Sequence, residues 1–199
     1  MTARPLALAI DTGRGMRRAI GPLVAGLRQV LRLLPRTPVS ACALGDQRCH
    51  LLQSGDAAEL LRRMHVCGLD RSWESALYHF AHLCPPPPRR GVLLLCGNGF
   101  VRDAISVHDV RRLGGEAPDH VYTRDILPAL RERWSVRTLY FSSGVYDRGA
   151  SEWGALLGAR SVLVVDDPGE TASAALSLIR RREPHGQEGR PGRSDPLQG

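Results

Sequence analysis

Pro5 to Ile10 is apolar at every position and stops abruptly at the loop Asp11-Thr12-Gly13-Arg14-Gly15. Side chains alternate between the two faces of a strand, so a run with no polar position belongs to a sheet covered on both sides. Directly behind the loop, Ile20, Leu23, Val24, Leu27, Val30, Leu31 and Leu34 recur at helical spacing, and Pro35 and Pro38 end that helix. A buried strand, a glycine loop and an amphipathic helix form the opening unit of a parallel α/β sheet.

The remaining chain repeats the alternation. Pro38–Leu44 and Gln47–Gln53 read as strands joined at Gly45-Asp46, a two-residue hairpin turn that sets Cys42 opposite Cys49. Gly55-Asp56 opens a short helix through Leu60, Leu61 and Met64. The loop Gly68-Leu69-Asp70-Arg71-Ser72 precedes a helix whose buried face is Trp73, Ala76, Leu77, Phe80 and Ala81, and the proline run 85–88 ends it. Gly91–Cys96 is a second continuous apolar strand, closed by Gly97-Asn98-Gly99. Residues 100–122 read as irregular, an insertion or lid. A helix over Arg124–Trp134, a strand over Val136–Phe141, a helix over Ser151–Leu157, a strand over Ser161–Val165 and a helix over Thr171–Arg182 follow. The expected fold is a three-layer, mostly parallel, doubly wound (Rossmann-like) α/β sheet with one antiparallel edge strand. One domain covers residues 1–183, and the polar Gly/Pro/Arg-rich stretch 184–199 reads as a disordered tail.

A hydrophobic share of 43% supports a core of this kind. The formal net charge of +7 comes entirely from arginine, since the chain has no lysine. The arginines are spread along the chain without an interleaved aromatic stripe, which disfavours a nucleic-acid partner. No apolar run reaches bilayer length, and Met1–Ile10 lacks a secretory pattern, so the expectation is a cytoplasmic chain without a membrane partner. The five cysteines contain no Cys-x-x-Cys pair, which fits reduced, mostly buried thiols.

In a doubly wound sheet ligands bind beyond the carboxyl ends of the strands, at the switch point. Loops 11–15, 68–72 and 97–99 end there and have the most unusual composition. Asp11 suits a helix cap or a ligand to its own loop amides, and Gly13 and Gly15 suit a phosphate cradle. The second reading leads to a small nucleotide- or phosphate-processing enzyme. Against it, the loop lacks a Gly-Lys-Ser/Thr ending and a dinucleotide fingerprint. Ser142-Ser143-Gly144 lacks the Gly-x-Ser-x-Gly frame, and His79 and His82 have no His-Glu-x-x-His frame. Asp166-Asp167-Pro168 reads as a turn.

In order and spacing, residues 5 to 182 resemble the von Willebrand factor A family. Leu6–Met16 stands where the family has a strand, an Asp-x-Ser-x-Ser loop and a long helix. Gly68–Ser72 ahead of Ala76-Leu77 is similar to its Gly-x-Thr-type loop, and Leu93–Gly99 to its fourth strand, which commonly ends in Asp-Gly. The resemblance implies a metal-ion-dependent adhesion site built on Asp11, Asp70 and Asn98, in degenerate form. Gly13 and Gly15 replace both serines, and Asn98 replaces the aspartate. Magnesium wants octahedral oxygen donors, so these losses argue against it and no other cofactor is implied. What remains is a non-catalytic protein-binding surface of Asp11, Thr12, Gly13, Arg14, Gly15, Asp70, Arg71, Ser72, Asn98 and Gly99. On it Arg14, Arg71 and Arg102 would pair directly with a partner's carboxylate. The Gly-Asn-Gly ending is also similar to bacterial ternary-system A-domain proteins associated with MoxR-type AAA+ ATPases, which implies such a partner and a role in a conflict or stress system.

Truncation after Glu183 is expected to leave the unfolding midpoint unchanged, because the tail's composition buries too little apolar area to offset its ordering entropy. Thermal unfolding of the two lengths checks this, and a drop of several degrees would show that the tail docks on the domain.

Overall fold

A computed structural model describes residues 4–45, 53–64, 66, 72–142 and 148–181. Its main sheet has six strands in the order β3-β2-β1-β4-β7-β8. They span Leu6–Asp11 (β1), Val39–Leu44 (β2), Gln53–Asp56 (β3), Gly91–Gly97 (β4), Trp134–Phe141 (β7) and Val162–Val165 (β8). Every pairing is parallel except β2 with β3, which makes β3 the antiparallel edge. The doubly wound sheet with one antiparallel edge strand is therefore the fold.

The helices are α1 (Ile20–Leu33), α2 (Ala57–Arg63), α3 (Trp73–Tyr78), α4 (Val107–Arg112), α5 (Thr123–Arg133), α6 (Arg148–Leu157) and α7 (Thr171–Arg180). Period-two alternation divides the strands between two cores. Leu6, Leu8 and Ile10 of β1, with Val92, Leu94 and Cys96 of β4, meet α1, α2 and α7 on one face. Ala7 and Ala9, with Leu93 and Leu95, meet α3, α4, α5 and α6 on the other. Alanine on the second face leaves room for the bulk of Trp73, Phe80 and Trp134, which are buried there. No helix among the described residues is long and apolar enough to cross a membrane.

Two expectations are corrected. Cys42 opposes Ser54, and Ala43 opposes Gln53, so β3 begins where the second strand was expected to end. The described register therefore differs from the expected one, which set Cys42 opposite Cys49 across a turn at Gly45-Asp46. Cys49 itself lies outside the described residues, as does Asp46. Residues 100–122 are not irregular: they hold β5 (Ala104–Ile105), α4 and β6 (Val121–Tyr122), with β5 and β6 paired antiparallel. Ser106 caps α4 by accepting from the Asp109 amide, and its hydroxyl donates to the Asp109 carboxylate. The sequence stretch after Glu183 lies outside the described residues.

The α1–α7 contact tests the packing of one face. A Cβ built on Gly26 would lie 2.6 Å from the Thr171 Cβ, whereas one on Gly21 meets nothing within 4 Å. Gly26→Ala is expected to destabilise by about 1–3 kcal/mol through overpacking, while Gly21→Ala, on the same helix, is neutral or stabilising. Equal midpoints for the two variants in denaturant unfolding would contradict this helix packing.

Candidate functional site

β1 pairs with β2 on one side and β4 on the other, so the winding direction reverses between β1 and β4. The carboxyl ends of these two strands are Asp11 and Gly97. That is the place where doubly wound sheets present a crevice.

Asp11 is fully buried. Its Oδ1 accepts from the Gly13 amide at 2.7 Å and its Oδ2 from the Asn98 amide at 3.4 Å. One carboxylate thus ties its own loop to the loop after β4. Asn98 adds a second tie, donating from Nδ2 to the Gly15 carbonyl at 3.0 Å. Thr12 is buried as well, and its hydroxyl donates to the Leu44 carbonyl, fixing the loop to β2. Gly97 is dictated by contact. A Cβ there would lie 2.3 Å from the Asp11 Cβ and 2.8 Å from the Trp73 ring. Trp73 packs edge-on against Trp153 at 5.6 Å between centroids. Trp153 in turn donates from Nε1 to the Gly99 carbonyl at 3.0 Å. Gly99 has φ of 100°, a left-handed conformation that a side chain would strain.

The start of α3 adds a polar group that the sequence reading passed over. Glu74 is almost wholly buried. It accepts from the Ser72 hydroxyl at 3.1 Å and from the Arg102 amide at 3.4 Å, and the Arg102 Nε stands 3.9 Å from its Oε1. Ser72 also bonds the Ser75 hydroxyl. Burial raises the Glu74 carboxyl above its ordinary value, against the opposing pull of the amides, of Arg102 and of Ser72. Nothing in helical periodicity signals a glutamate beside a buried tryptophan as a loop anchor. The only hint is its place directly after Ser72 and Trp73.

The structure therefore brings together Asp11, Thr12, Gly13, Arg14, Gly15, Ser72, Asn98 and Gly99. Arg14 and Gly15 are exposed, Gly99 is half-buried, and the rest are buried. Arg102 is anchored through Glu74 and exposed beyond it. Asp70 and Arg71 lie outside the described residues. Sequence reasoning also missed Arg17 and Arg18, which are exposed on the turn that leads into α1, and Phe100, which is 60% exposed beside Gly99.

The described residues do not fit a magnesium ion. Gly13 and Gly15 carry no side-chain oxygen, and both Asp11 oxygens face backbone amides in a fully buried setting. Among the described residues no group of three His, Cys, Asp or Glu side chains could hold a metal.

No protein-family model matches the sequence, and no curated protein matches it. Solved structures do. Proximal thread matrix protein 1 from the mussel byssus, in its second crystal form, superposes with a TM-score of 0.58 at 10% identity, over 89% of this chain and 47% of that one. A further structure of the same protein gives 0.57 at 10% identity, over 88% and 46%. A third, with a zinc-occupied metal-ion-dependent adhesion motif, gives 0.58 at 9%, over 89% and 47%. The chain spans about half the length of these proteins. The likeness shows the fold, which is of the von Willebrand factor A type.

Glu74 makes stability pH-dependent in a stated direction. A carboxyl whose folded value is raised binds its proton more readily folded than unfolded, so stability grows as pH falls from above the folded value towards the unfolded one. His79 and His82 oppose this at the acid end. Burial lowers both, and their contribution is lost as pH falls through the folded values. Glu74→Gln keeps the shape and removes the charge. It is expected to raise the midpoint most at alkaline pH, where the buried carboxylate is ionised, and to flatten the rise in stability as pH falls towards the ordinary carboxylate range. An unchanged profile would contradict a raised Glu74 carboxyl.

Proposed function

We propose that this chain is a non-catalytic protein-interaction module of von Willebrand factor A type that docks its partner, without a metal ion, on the loops above the β1/β4 switch point. The observation that carries this reading is the fully buried Asp11 carboxylate, held between the Gly13 and Asn98 amides. It supports the frame of a ligand-binding crevice and turns both oxygens of that one carboxylate towards backbone amides, away from a cation or a substrate proton. For the same reason the phosphate-processing alternative loses its central residue. A base must come within hydrogen-bond reach of the proton it takes, and Asp11 is sealed from any substrate.

In this reading the buried residues Asp11, Thr12, Ser72 and Asn98 position the loops. Arg14, Gly15 and Gly99 form the contact surface, with Arg102 beside them. A guanidinium pairs with a partner carboxylate through two parallel hydrogen bonds, a geometry that does not need a bridging cation. The finer assignment is an adaptor in a bacterial multi-component system with a MoxR-like AAA+ ATPase. It rests on the resemblance of the Gly97-Asn98-Gly99 ending alone.

Two measurements test the module. Millimolar magnesium is expected to leave the unfolding midpoint unchanged, since only a ligand of the native state raises it. A clear rise that disappears in Asp11→Ala would restore the metal site. In affinity capture from the host cell, Arg14→Glu is expected to abolish partner recovery; Arg14→Ala is expected to weaken it, by roughly 2–5 kcal/mol if the partner buries the pair and by well under that if the pair stays in water. Arg160→Glu, at the amino end of β8, is expected to have no effect. Equal recovery by wild type and Arg14→Glu would remove the crevice as the docking surface.

A further inference from the structure

Residues 4–45 contain seven arginines and a single carboxylate, Asp11. Asp11 is buried and engaged with amides. This stretch therefore holds six of the chain's seven net positive charges. Three of its arginines, Arg14, Arg17 and Arg18, fall within five residues on the turn between the Asp11 loop and α1, and all three are exposed. None of their side chains makes an ion pair among the described residues, and the first turn of α1 carries no acid. Three like charges so close together repel one another, and no ion pair among the described residues relieves them.

Phe100 follows two residues after Asn98, on the loop next to the arginine turn. It is the most exposed large apolar side chain among the described residues. The Asn98–Gly15 bond joins its loop to the arginine turn, and the Trp153 indole pins the carbonyl of the preceding residue, Gly99. The ring is thus displayed on an anchored backbone. Unrelieved positive charge and an uncovered aromatic ring lie on adjoining loops at one end of the sheet.

Resting on the interaction-module reading, we propose that this surface binds an acidic linear segment of a partner protein that carries an apolar side chain among its carboxylates. The carboxylates pair with Arg14, Arg17 and Arg18, and the apolar side chain covers Phe100. A protein segment suits the layout better than a nucleic acid does. Of the other arginines of this stretch that follow the turn, Arg28 is drawn onto the Leu61 carbonyl, and Arg32 and Arg36 lie at and beyond the far end of α1. A helix of this length separates them from the turn by roughly 20 Å. The charge is therefore a compact cluster rather than a track along which a phosphate backbone could run.

The test uses the full chain and a fluorescein-labelled synthetic peptide in which glutamates flank one leucine, read by anisotropy. Wild type is expected to bind it, more weakly as salt rises. Arg17→Glu/Arg18→Glu is expected to lose at least about tenfold in affinity, as like charges then face each other. Phe100→Ser is expected to bind the leucine peptide no better than the same peptide with serine in its place. Thermal midpoints close to wild type in both variants confirm that these exposed positions leave the fold intact. Unchanged affinity in the double reversal, or equal binding of the leucine and serine peptides by wild type, overturns the proposal. So does tighter binding of a single-stranded oligonucleotide of matched charge that the same double reversal abolishes. If the acidic peptides fail while partner capture still depends on Arg14, this inference falls and the module reading stands.

Discussion

The whole carboxyl end of the sheet depends on one buried carboxylate. Asp11 accepts from an amide of its own loop and from an amide of the loop after β4. Leaving those buried amides without a partner would cost about 1–3 kcal/mol each. The two strands that flank the switch point are thereby locked at the place where an open sheet would otherwise part. The anchor also explains the immediate neighbours. Gly97 must lack a side chain because Asp11 and Trp73 already occupy that space. Trp73 then braces Trp153, which holds Gly99.

A second carboxylate does the same work one layer out, at lower depth of compensation. Glu74 ties the start of α3 to the Arg102 loop, yet burial still leaves it reluctant to ionise. The two groups differ in the partners that hold them. Asp11 sits between amides that backbone geometry fixes in place, whereas the Arg102 guanidinium approaches Glu74 only to 3.9 Å and is itself largely in solvent. Exposed charges compensate a buried one poorly, because water competes for them. The loop after β4 is therefore held firmly at Asn98 and Gly99 and more loosely at Arg102.

Much of this fold was legible from particular residues. Leu6–Ile10 and Gly91–Cys96 are apolar at every position, and only a two-sided sheet explains that. The α1 stripe and the prolines behind it set that helix to within a residue of Ile20–Leu33. The crevice followed from strand order, which placed Asp11, Asn98 and Gly99 together. What failed depended on tertiary pairing. The β5–β6 ribbon has two residues per strand, too few for any period to register, and the Thr123 bonds to Asp103 and Arg102 hold it. The β2–β3 register was misread because a Gly-Asp pair looks like a tight turn, while the described pairing sets Ala43 opposite Gln53 and Cys42 opposite Ser54. Glu74 was invisible because periodicity assigns a polar residue to the solvent face, and only the loop packed over α3 reverses that.

On the proposed reading, arginines in place of a cation change how such a crevice would recognise a partner. A divalent ion concentrates charge at one point and demands a defined set of oxygen donors. Guanidinium groups at Arg14, Arg17 and Arg18 spread the charge over an exposed turn, and each contact made there is weak in water. Affinity then has to come from several pairs at once and from apolar cover, which is what Phe100 offers. Long-range attraction gains in importance, because unpaired positive charge at one end of the domain speeds encounter with an acidic partner and is screened by salt. The rigid frame beneath serves this arrangement. With Asp11, Asn98 and Trp153 holding the loops in place, a partner would meet a surface already ordered, and ordering entropy would not have to be taken from the binding energy.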